Sequence, residues 1–259
     1  MNISKRTKSV LGSILLPVVL IILWQYIFSA GYIASAILPS PHQVIKTFII
    51  HFTENEYSFH IISSLKRVLS GFFIGIVSGF LFGLFIGLSR TAEKIFSPSF
   101  NAVRQISIIG WIPLIVMWFG VNEFPRIIII AAAAFYPIAL NTFAGVRNVP
   151  REYVELASVY GYNRLKLITR IILPSALPSI ATGITLALGM SWAMLMAAEL
   201  FIPTNIGIGT RIQIGREKFN MALILVGIIT VGSLGFAMTS IVEIIAHAAD
   251  RGRILRKEI

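Results

Sequence analysis

The residues best placed to do chemistry lie in one basic stretch, residues 147–178, between two long apolar segments. Pro150 begins it, Glu152 and Glu155 follow, and Gly161 comes after an apolar stripe. Proline suits a first helical turn, acidic residues favour the N-terminal end of a helix, and glycine permits the left-handed conformation that ends one. The pattern predicts a capped helix of about three turns. Such a helix is suited to docking rather than to catalysis.

The apolar stripe of this helix would need a partner. Tyr153, Leu156, Ala157 and Tyr160 recur at the spacing that puts side chains on one helical face. Periodicity alone leaves two interpretations open, because such a helix could lie on the membrane surface or bind another protein.

Several other chemistries find no support in the sequence. The chain has no cysteine, so it offers no disulfide or thiolate metal site. It has no Gly-x-x-x-x-Gly-Lys-Ser/Thr loop, so we expect no ATP binding by the chain itself. We expect no cofactor, no metal and no enzymatic activity. No basic stripe is interleaved with stacking aromatic residues, so the net charge of +11 does not indicate nucleic acid.

Composition predicts that most of the chain lies in lipid. It is 56% hydrophobic and only 13% charged, whereas about a quarter of a soluble domain is charged. Pro174 and Pro178 should delay the start of the fifth apolar segment, and a spanning helix needs about 20 residues. We therefore predict an all-α polytopic membrane protein with about six spans, at 10–30, 68–89, 105–122, 127–146, 179–198 and 219–242.

The distribution of Lys and Arg predicts the orientation. With a cytoplasmic N-terminus, fifteen of these residues fall inside and seven outside, so both termini should be cytoplasmic. Ala34–Ala36 has the small-residue look of a signal-peptide cleavage site, but the preceding apolar run of 19 residues favours a retained first span. We divide the chain into residues 1–34, the tail and first span, and 35–259, the main membrane domain, with 41–66 as an amphipathic segment outside.

Glycine recurs every fourth residue along the second span. This spacing lets another helix backbone approach closely. The partner could be a helix of the same chain or a second copy, and the sequence does not separate the two. The glycines are Gly71, Gly75, Gly79, Gly83 and Gly87.

Polar groups inside the predicted spans are few, and none that ionises lies at mid-membrane. Glu199 falls near the outer end of the fifth span, where it could contact the Gly207–Gly209 loop or act as a gate. For the aromatic candidates the alternative is packing against core or lipid. The candidates for a translocation path are Trp118, Tyr136, Asn141, Ser191, Trp192 and Glu199.

The loop resembles the signature of permease subunits of bacterial ABC importers, which reads E-A-A, three residues, G, nine residues, I-x-L-P. Leu156 is the one departure, in place of the first alanine. Further stretches are similar to the nitrate/sulfonate/taurine branch of that family. The loop matches are Glu155, Ala157, Gly161, Ile171, Leu173 and Pro174; the others are 38–41, 87–90, 112–114, 118–120, 136–142, 198–199 and 207–209.

This resemblance implies a type I importer transmembrane fold and a bacterial inner-membrane location. It implies that Glu155, Leu156, Ala157, Gly161 and the Ile171–Pro174 segment couple the chain to a cytoplasmic ATPase. It further implies a homodimer, an extracytoplasmic solute-binding protein and a small anionic solute such as a sulfonate, taurine or nitrate. Two rival hypotheses are an ion-coupled secondary carrier, which would need ionisable groups within the membrane, and a membrane scaffold that transports nothing.

Overall fold

The computed structural model describes residues 3–33, 37–53 and 56–257, and the side chains of 15–33, 37–53 and 57–244 among them. Within these ranges the regular structure is helical and contains no strand, which confirms the predicted all-α fold. The α-helices are α1 (Ile3–Ser29), α2 (Pro41–Thr53), α3 (Glu56–Leu88), α4 (Arg90–Val103), α5 (Ile112–Phe119), α6 (Glu123–Arg147), α7 (Arg151–Val159), α8 (Arg164–Leu167), α9 (Leu173–Phe201), α10 (Ile208–Glu217) and α11 (Met221–Lys257).

Four helical stretches in the described part are long and apolar enough to cross a membrane. They are Tyr57–Leu88, Glu123–Arg147, Arg164–Phe201 and Met221–Ile244. The bent pair of α4 with Ile108–Phe119 could supply a fifth crossing, and α1 contributes a shorter apolar stretch, Leu15–Ser29. Each of the six predicted spans therefore has a helical counterpart, although the count of six is approximate.

The third predicted span, 105–122, is wrong as a single helix. A 3₁₀ turn, Ile108–Trp111, leads into α5, and the axis bends by 83° between α4 and this pair. Pro113 lies in the first turn of α5, where its missing N–H is no loss, and Gly120 ends that helix with φ +78°. The residues before 105 belong to a separate helix, α4. The Ser89 side chain caps the N-terminus of α4 by accepting from the Ala92 N–H, which separates α4 from α3.

The fifth span begins well before the predicted residue 179. The helix is continuous from Arg164 to Phe201, with a π-helical turn at Ile168–Ile172. Pro174 lies in the first turn of α9 and Pro178 inside it. A proline ring clashes with the carbonyl four residues earlier in a regular helix, and the wider turn just before Pro174 gives that carbonyl room. The prolines therefore do not break the span.

Helix α6 lies at the centre of the bundle, packed on α3 along one side and on α9 along the other. Small residues make this possible: Ala133, Ala134 and Ala139 of α6 are fully buried. Helix α11 packs on α9 and α10, and α2 packs on α11. Because α6 runs away from α5 and α9 returns, the loop carrying α7 lies at one end of the bundle and the α9–α10 connection at the other.

The predicted segment 41–66 divides into two elements. Residues Pro41–Thr53 form α2, while Lys66 and its neighbours already belong to the long helix α3. The Trp24 indole N–H donates to the Pro39 carbonyl at 3.0 Å, which ties α1 to the turn before α2. The cleavage-like Ala34–Ala36 sequence lies outside the described residues.

Candidate coupling loop and buried charge cluster

Helix α7 ends in a complete Schellman motif. The Gly161 N–H donates to the Ser158 carbonyl at 3.0 Å and the Tyr162 N–H to the Ala157 carbonyl at 3.0 Å. These two bonds satisfy carbonyls that a helix end otherwise leaves unpaired. Gly161 has φ +67°, a conformation costly for residues with a Cβ atom. The helix end therefore has a fixed direction, set by one glycine.

The predicted apolar stripe of α7 is divided between two environments. Ala157 is 3% exposed and faces the chain's own interior, where α7 contacts the π-helical turn. Tyr153, Leu156 and Tyr160 are exposed, as is Val159 at 83%. Within the chain the Ala157 side chain is therefore covered, whereas the other members of the stripe are not.

The remaining residues of the loop signature are placed as follows. Glu155 is exposed, and its carbonyl accepts from the Ser158 hydroxyl at 2.6 Å. Ile171 belongs to the π-helical turn, and Leu173 and Pro174 begin α9, all partly buried. A π turn is rare and often marks a functional position in a helix.

A cluster of charged side chains lies at the other end of the bundle, buried except for Glu123, whose side chain is 55% exposed. The Arg67 guanidinium of α3 donates to both carboxylate oxygens of Glu123, at 2.5 and 2.7 Å, and to Glu199 Oε1 at 2.7 Å. Arg126 donates to Glu123 Oε1 at 2.8 Å. Arg67 and Arg126 are 5% and 3% exposed, so lipid and water are largely excluded from both cations. Such groups are tolerated within a membrane because they pair with each other.

This cluster also binds the backbone of the α9–α10 connection. Arg67 donates to the Ile206 carbonyl at 2.7 Å and Arg126 to the Pro203 carbonyl at 2.6 Å. Glu199 Oε2 accepts from the Gly209 N–H at 2.7 Å. An ideal Cβ on Gly207 would lie 2.6 Å from the Glu199 carboxylate, so no larger residue fits there. The contact expected between Glu199 and the Gly207–Gly209 loop is present.

Two uncharged side chains of α3 complete the attachment. The His60 ring accepts from the Gly207 N–H at 2.8 Å, and the Ser64 hydroxyl accepts from the Ile208 N–H at 3.0 Å while donating to Glu199 at 2.6 Å. Each of these bonds to residues 203–209 thus satisfies a backbone group of an irregular segment. Irregular backbone at a membrane needs such partners within the protein.

Sequence reasoning missed most of this cluster. The Lys and Arg distribution that predicts the orientation places Arg67 and Arg126 in loops on the outside. In the structure both lie within helices and are buried. One signal could have indicated them: Glu123, Arg126 and Glu199 fall at the same end of neighbouring spans, and their charges are of opposite sign. Arg67 has the complementary charge on the adjoining helix.

The five glycines of α3 all lie against α6. An ideal Cβ on Gly79 would be 2.1 Å from Ile138 Cγ2, and one on Gly83 would be 2.4 Å from the Ala139 carbonyl. Gly71, Gly75 and Gly87 are similarly blocked by Ile130, Ala134 and Val146. Of the two interpretations of this face, the structure therefore shows packing within the chain.

The structure does not bring the translocation-path candidates together. Trp118 is exposed on α5, and Tyr136 packs with its ring 5.6 Å from that of Phe100. The side chains of Asn141 and Ser191 bond to carbonyls of their own helices.

Trp192 is buried in an apolar cluster with Val68 and Leu188, and its indole N–H has no acceptor among the described residues. The cavity beside Arg67 and Glu123 is lined by none of the six candidates.

Comparison with known proteins identifies this helical bundle as a transport subunit. The family model of the binding-protein-dependent transport system inner membrane component matches residues 71–252. The chain belongs to this family.

Relatives cover most of the chain. SsuC of Escherichia coli, an aliphatic sulfonates transport permease protein, is 38% identical over 85% of this chain and 83% of its own. The taurine transport system permease TauC of the same organism is 31% identical over 85% and 82%. The bicarbonate transport system permease CmpB of Synechococcus elongatus is 30% identical over 90% and 88%.

A solved structure shares the fold. The crystal structure of an amino acid ABC transporter with histidines covers 78% of this chain and 96% of its own, with a TM-score of 0.58 and 18% identity. The predicted ABC importer transmembrane fold is thereby confirmed. Family membership also supports an ABC permease over an ion-coupled carrier.

Proposed function

We propose that this permease couples to a cytoplasmic ATPase through the exposed surface of α7, defined by Tyr153, Glu155, Leu156, Val159 and Tyr160. The observation that carries the proposal is that this apolar surface is uncovered within the described chain although the helix is capped at its C-terminal end. The surface falls on the loop signature of importer permeases. Ala157 and Gly161 act behind it, by seating the helix and fixing its end.

Charge distribution supports the proposed orientation. The α7 loop carries five Lys and Arg residues, and Arg90 and Lys94 of α4 lie at the same end of the bundle. Both termini are then cytoplasmic, and the Arg67 cluster faces the opposite side. Residues 1–34 form a tail and first span that precede the transmembrane domain of 35–259, with 147–178 as the coupling loop.

The solute we propose is a small anion. SsuC, TauC and CmpB are named for aliphatic sulfonates, taurine and bicarbonate, each of which carries an anionic oxygen group. The translocation path then runs between two copies of this chain in a homodimer embedded in lipid. An extracytoplasmic binding protein delivers the solute on the side of the Arg67 cluster.

The test uses two substitutions at Gly161. Asparagine tolerates the left-handed conformation that ends α7, whereas a β-branched residue does not. Gly161→Val should therefore misdirect the helix and lower ATP-dependent uptake about 5- to 30-fold, from a backbone penalty of roughly 1–2 kcal/mol. Gly161→Asn should retain most uptake. No atom lies within 4 Å of a Cβ at this position, so the chain itself should still fold.

The measurement is uptake of a radiolabelled alkanesulfonate by vesicles that hold the chain with its ATPase and binding protein. Membrane abundance is measured in parallel. Normal uptake by Gly161→Val would refute the coupling proposal. Uptake that persists without ATP and collapses with the ion gradient would favour a carrier, and absence of uptake for every anion tested would favour a scaffold.

A further inference from the structure

A basic cleft lies at the end of the bundle that carries α7. It opens between α4 and the last turn of α6 and has a volume of about 560 Å³. Neither α7 nor the Arg67 cluster contributes to its lining. The polar side chains that line it are Arg90, Glu93, Lys94, Ser97 and Asn101 of α4 and Arg147 of α6.

One face of α4 supplies most of these groups. Arg90, Lys94, Ser97 and Asn101 are spaced four, three and four residues apart, which places them within a sector of about 60°. An adjoining side of α4, about 90° around the helix, is fixed by Phe100, which is buried with its ring 5.3 Å from that of Phe82 in α3. Packing of that aromatic ring orients the polar face toward the cleft.

The cleft carries an excess of positive charge. Glu93 and Arg147 form an ion pair that joins α4 to α6 and cancels their charges. Arg90 and Lys94 are exposed, and the ion pairs found among the described side chains involve neither. Two free cations beside a hydroxyl and an amide suit an oxyanion, whose several oxygen atoms all accept hydrogen bonds.

The surroundings of the cleft indicate where that oxyanion comes from. Exposed apolar side chains lie on the elements that adjoin the cleft residues: Phe85 and Leu88 in the last turn of α3, which ends two residues before Arg90, and Ile95 and Phe96 on the faces of α4 away from its polar face. We refer to these four side chains as the apolar border. In a chain that spans a membrane, a helix with a basic face and exposed apolar faces lies at the boundary between acyl chains and headgroups.

We propose that this cleft binds the phosphate of an anionic phospholipid, with the acyl chains against the apolar border. Only the assignment of the lipid to one leaflet rests on the proposed function. With α7 in the cytoplasm, the lipid belongs to the inner leaflet. Bound there, the headgroup joins α4 to α6 across the gap that the Glu93–Arg147 pair bridges at one point.

The experiment measures lipid retained by the full chain. The protein is purified from nanodiscs of phosphatidylcholine with phosphatidylglycerol, and bound lipid is counted by native mass spectrometry. The double variant Arg90→Gln/Lys94→Gln should retain phosphatidylglycerol about 30-fold more weakly, from the contribution of two basic residues near an anionic surface. The matched control is Arg216→Gln/Lys218→Gln, which removes the same charge from exposed positions outside the cleft and should retain lipid as the original chain does.

A neutral change separates the site from general charge attraction. Asn101→Leu keeps every charge and removes one hydrogen-bond donor, so retention should fall about fivefold. Equal retention by the original chain and the double variant would overturn the proposal. Displacement of lipid by millimolar inorganic phosphate or methanesulfonate would overturn the lipid assignment and identify a site for a free oxyanion. No ATP or ATPase is present, so the result does not depend on coupling through α7.

Discussion

Arg67 and Glu199 form an ion pair of 2.7 Å between α3 and α9, and their side chains are 5% and 0% exposed. The same guanidinium bonds to Glu123 at the start of α6. One arginine thus holds three helices together at the end of the bundle opposite α7. Removal of one member of a buried pair leaves the other uncompensated, which costs far more than the pair itself contributes.

Glu199→Gln should therefore destabilise the chain by about 3–5 kcal/mol, since Arg67 loses a charged partner while the shape of the site is kept. Thermal unfolding in detergent, followed by tryptophan fluorescence, measures the loss. Glu217→Gln is the matched control, because Glu217 is exposed in the last turn of α10. Equal melting temperatures for the two variants would contradict a structural role for the cluster.

Gly79→Leu should separate α3 from α6. The Cβ of the new side chain would lie 2.1 Å from Ile138 Cγ2 and 2.6 Å from the Phe135 carbonyl oxygen. The α6 backbone would have to move to relieve the second contact. Overpacking of this kind costs about 1–3 kcal/mol or more. Gly232→Leu serves as the comparison, since nothing lies within 4 Å of a Cβ there. We expect Gly79→Leu to yield little folded protein on size-exclusion chromatography and Gly232→Leu to elute normally.

The Tyr57 hydroxyl donates to the Thr230 hydroxyl at 2.9 Å, and that hydroxyl donates onward to the Val226 carbonyl at 2.8 Å. Tyr57→Phe leaves Thr230 still bonded and should cost about 1 kcal/mol. Thr230→Val leaves a buried phenol without its acceptor and should cost about 1–3 kcal/mol. Chemical unfolding in mixed micelles ranks the two variants. A larger loss for Tyr57→Phe would show that this hydrogen bond does not join α3 to α11.

Leu156→Asn should weaken recovery of the ATPase with the permease without altering the fold, because this side chain is exposed on α7 and contributes no packing within the chain. Phe219→Asn introduces the same residue at the opposite end, where Phe219 is exposed with φ +51°. Affinity purification of the tagged permease, with the ATPase quantified, compares the two. Unchanged recovery with Leu156→Asn would remove this residue from the contact.

The parts of the structure that the sequence predicts depend on the spacing of residues within one segment. Glycine at every fourth residue places a bare face on any helix, and Gly161 after an apolar stripe ends a helix whatever surrounds it. Their partners were not local: only the fold shows that the glycine face meets α6, or that Ala157 turns inward while Leu156 does not.

The errors have the same origin. The sequence predicts that proline breaks the fifth span, but a π-helical turn that ends two residues earlier relieves the clash at Pro174. Charge predicts loops, but Arg67 is buried because Glu123 and Glu199 reach it from neighbouring helices, and Arg126 pairs with Glu123 of its own helix. Neither compensation can be read from a single segment, since each depends on backbone geometry or on tertiary contacts.

The continuous helix from Arg164 to Phe201 has 38 residues and so measures about 57 Å. It begins two residues after the Schellman motif that ends α7 and finishes two residues beyond Glu199. One helix thus connects the α7 loop at one end with the anchored Pro203–Gly209 segment at the other. If α7 couples to an ATPase as proposed, a displacement of α7 either tilts this helix as a whole or is absorbed at the π-helical turn, so the stiffness of five residues, Ile168–Ile172, would set how much of the movement reaches Glu199.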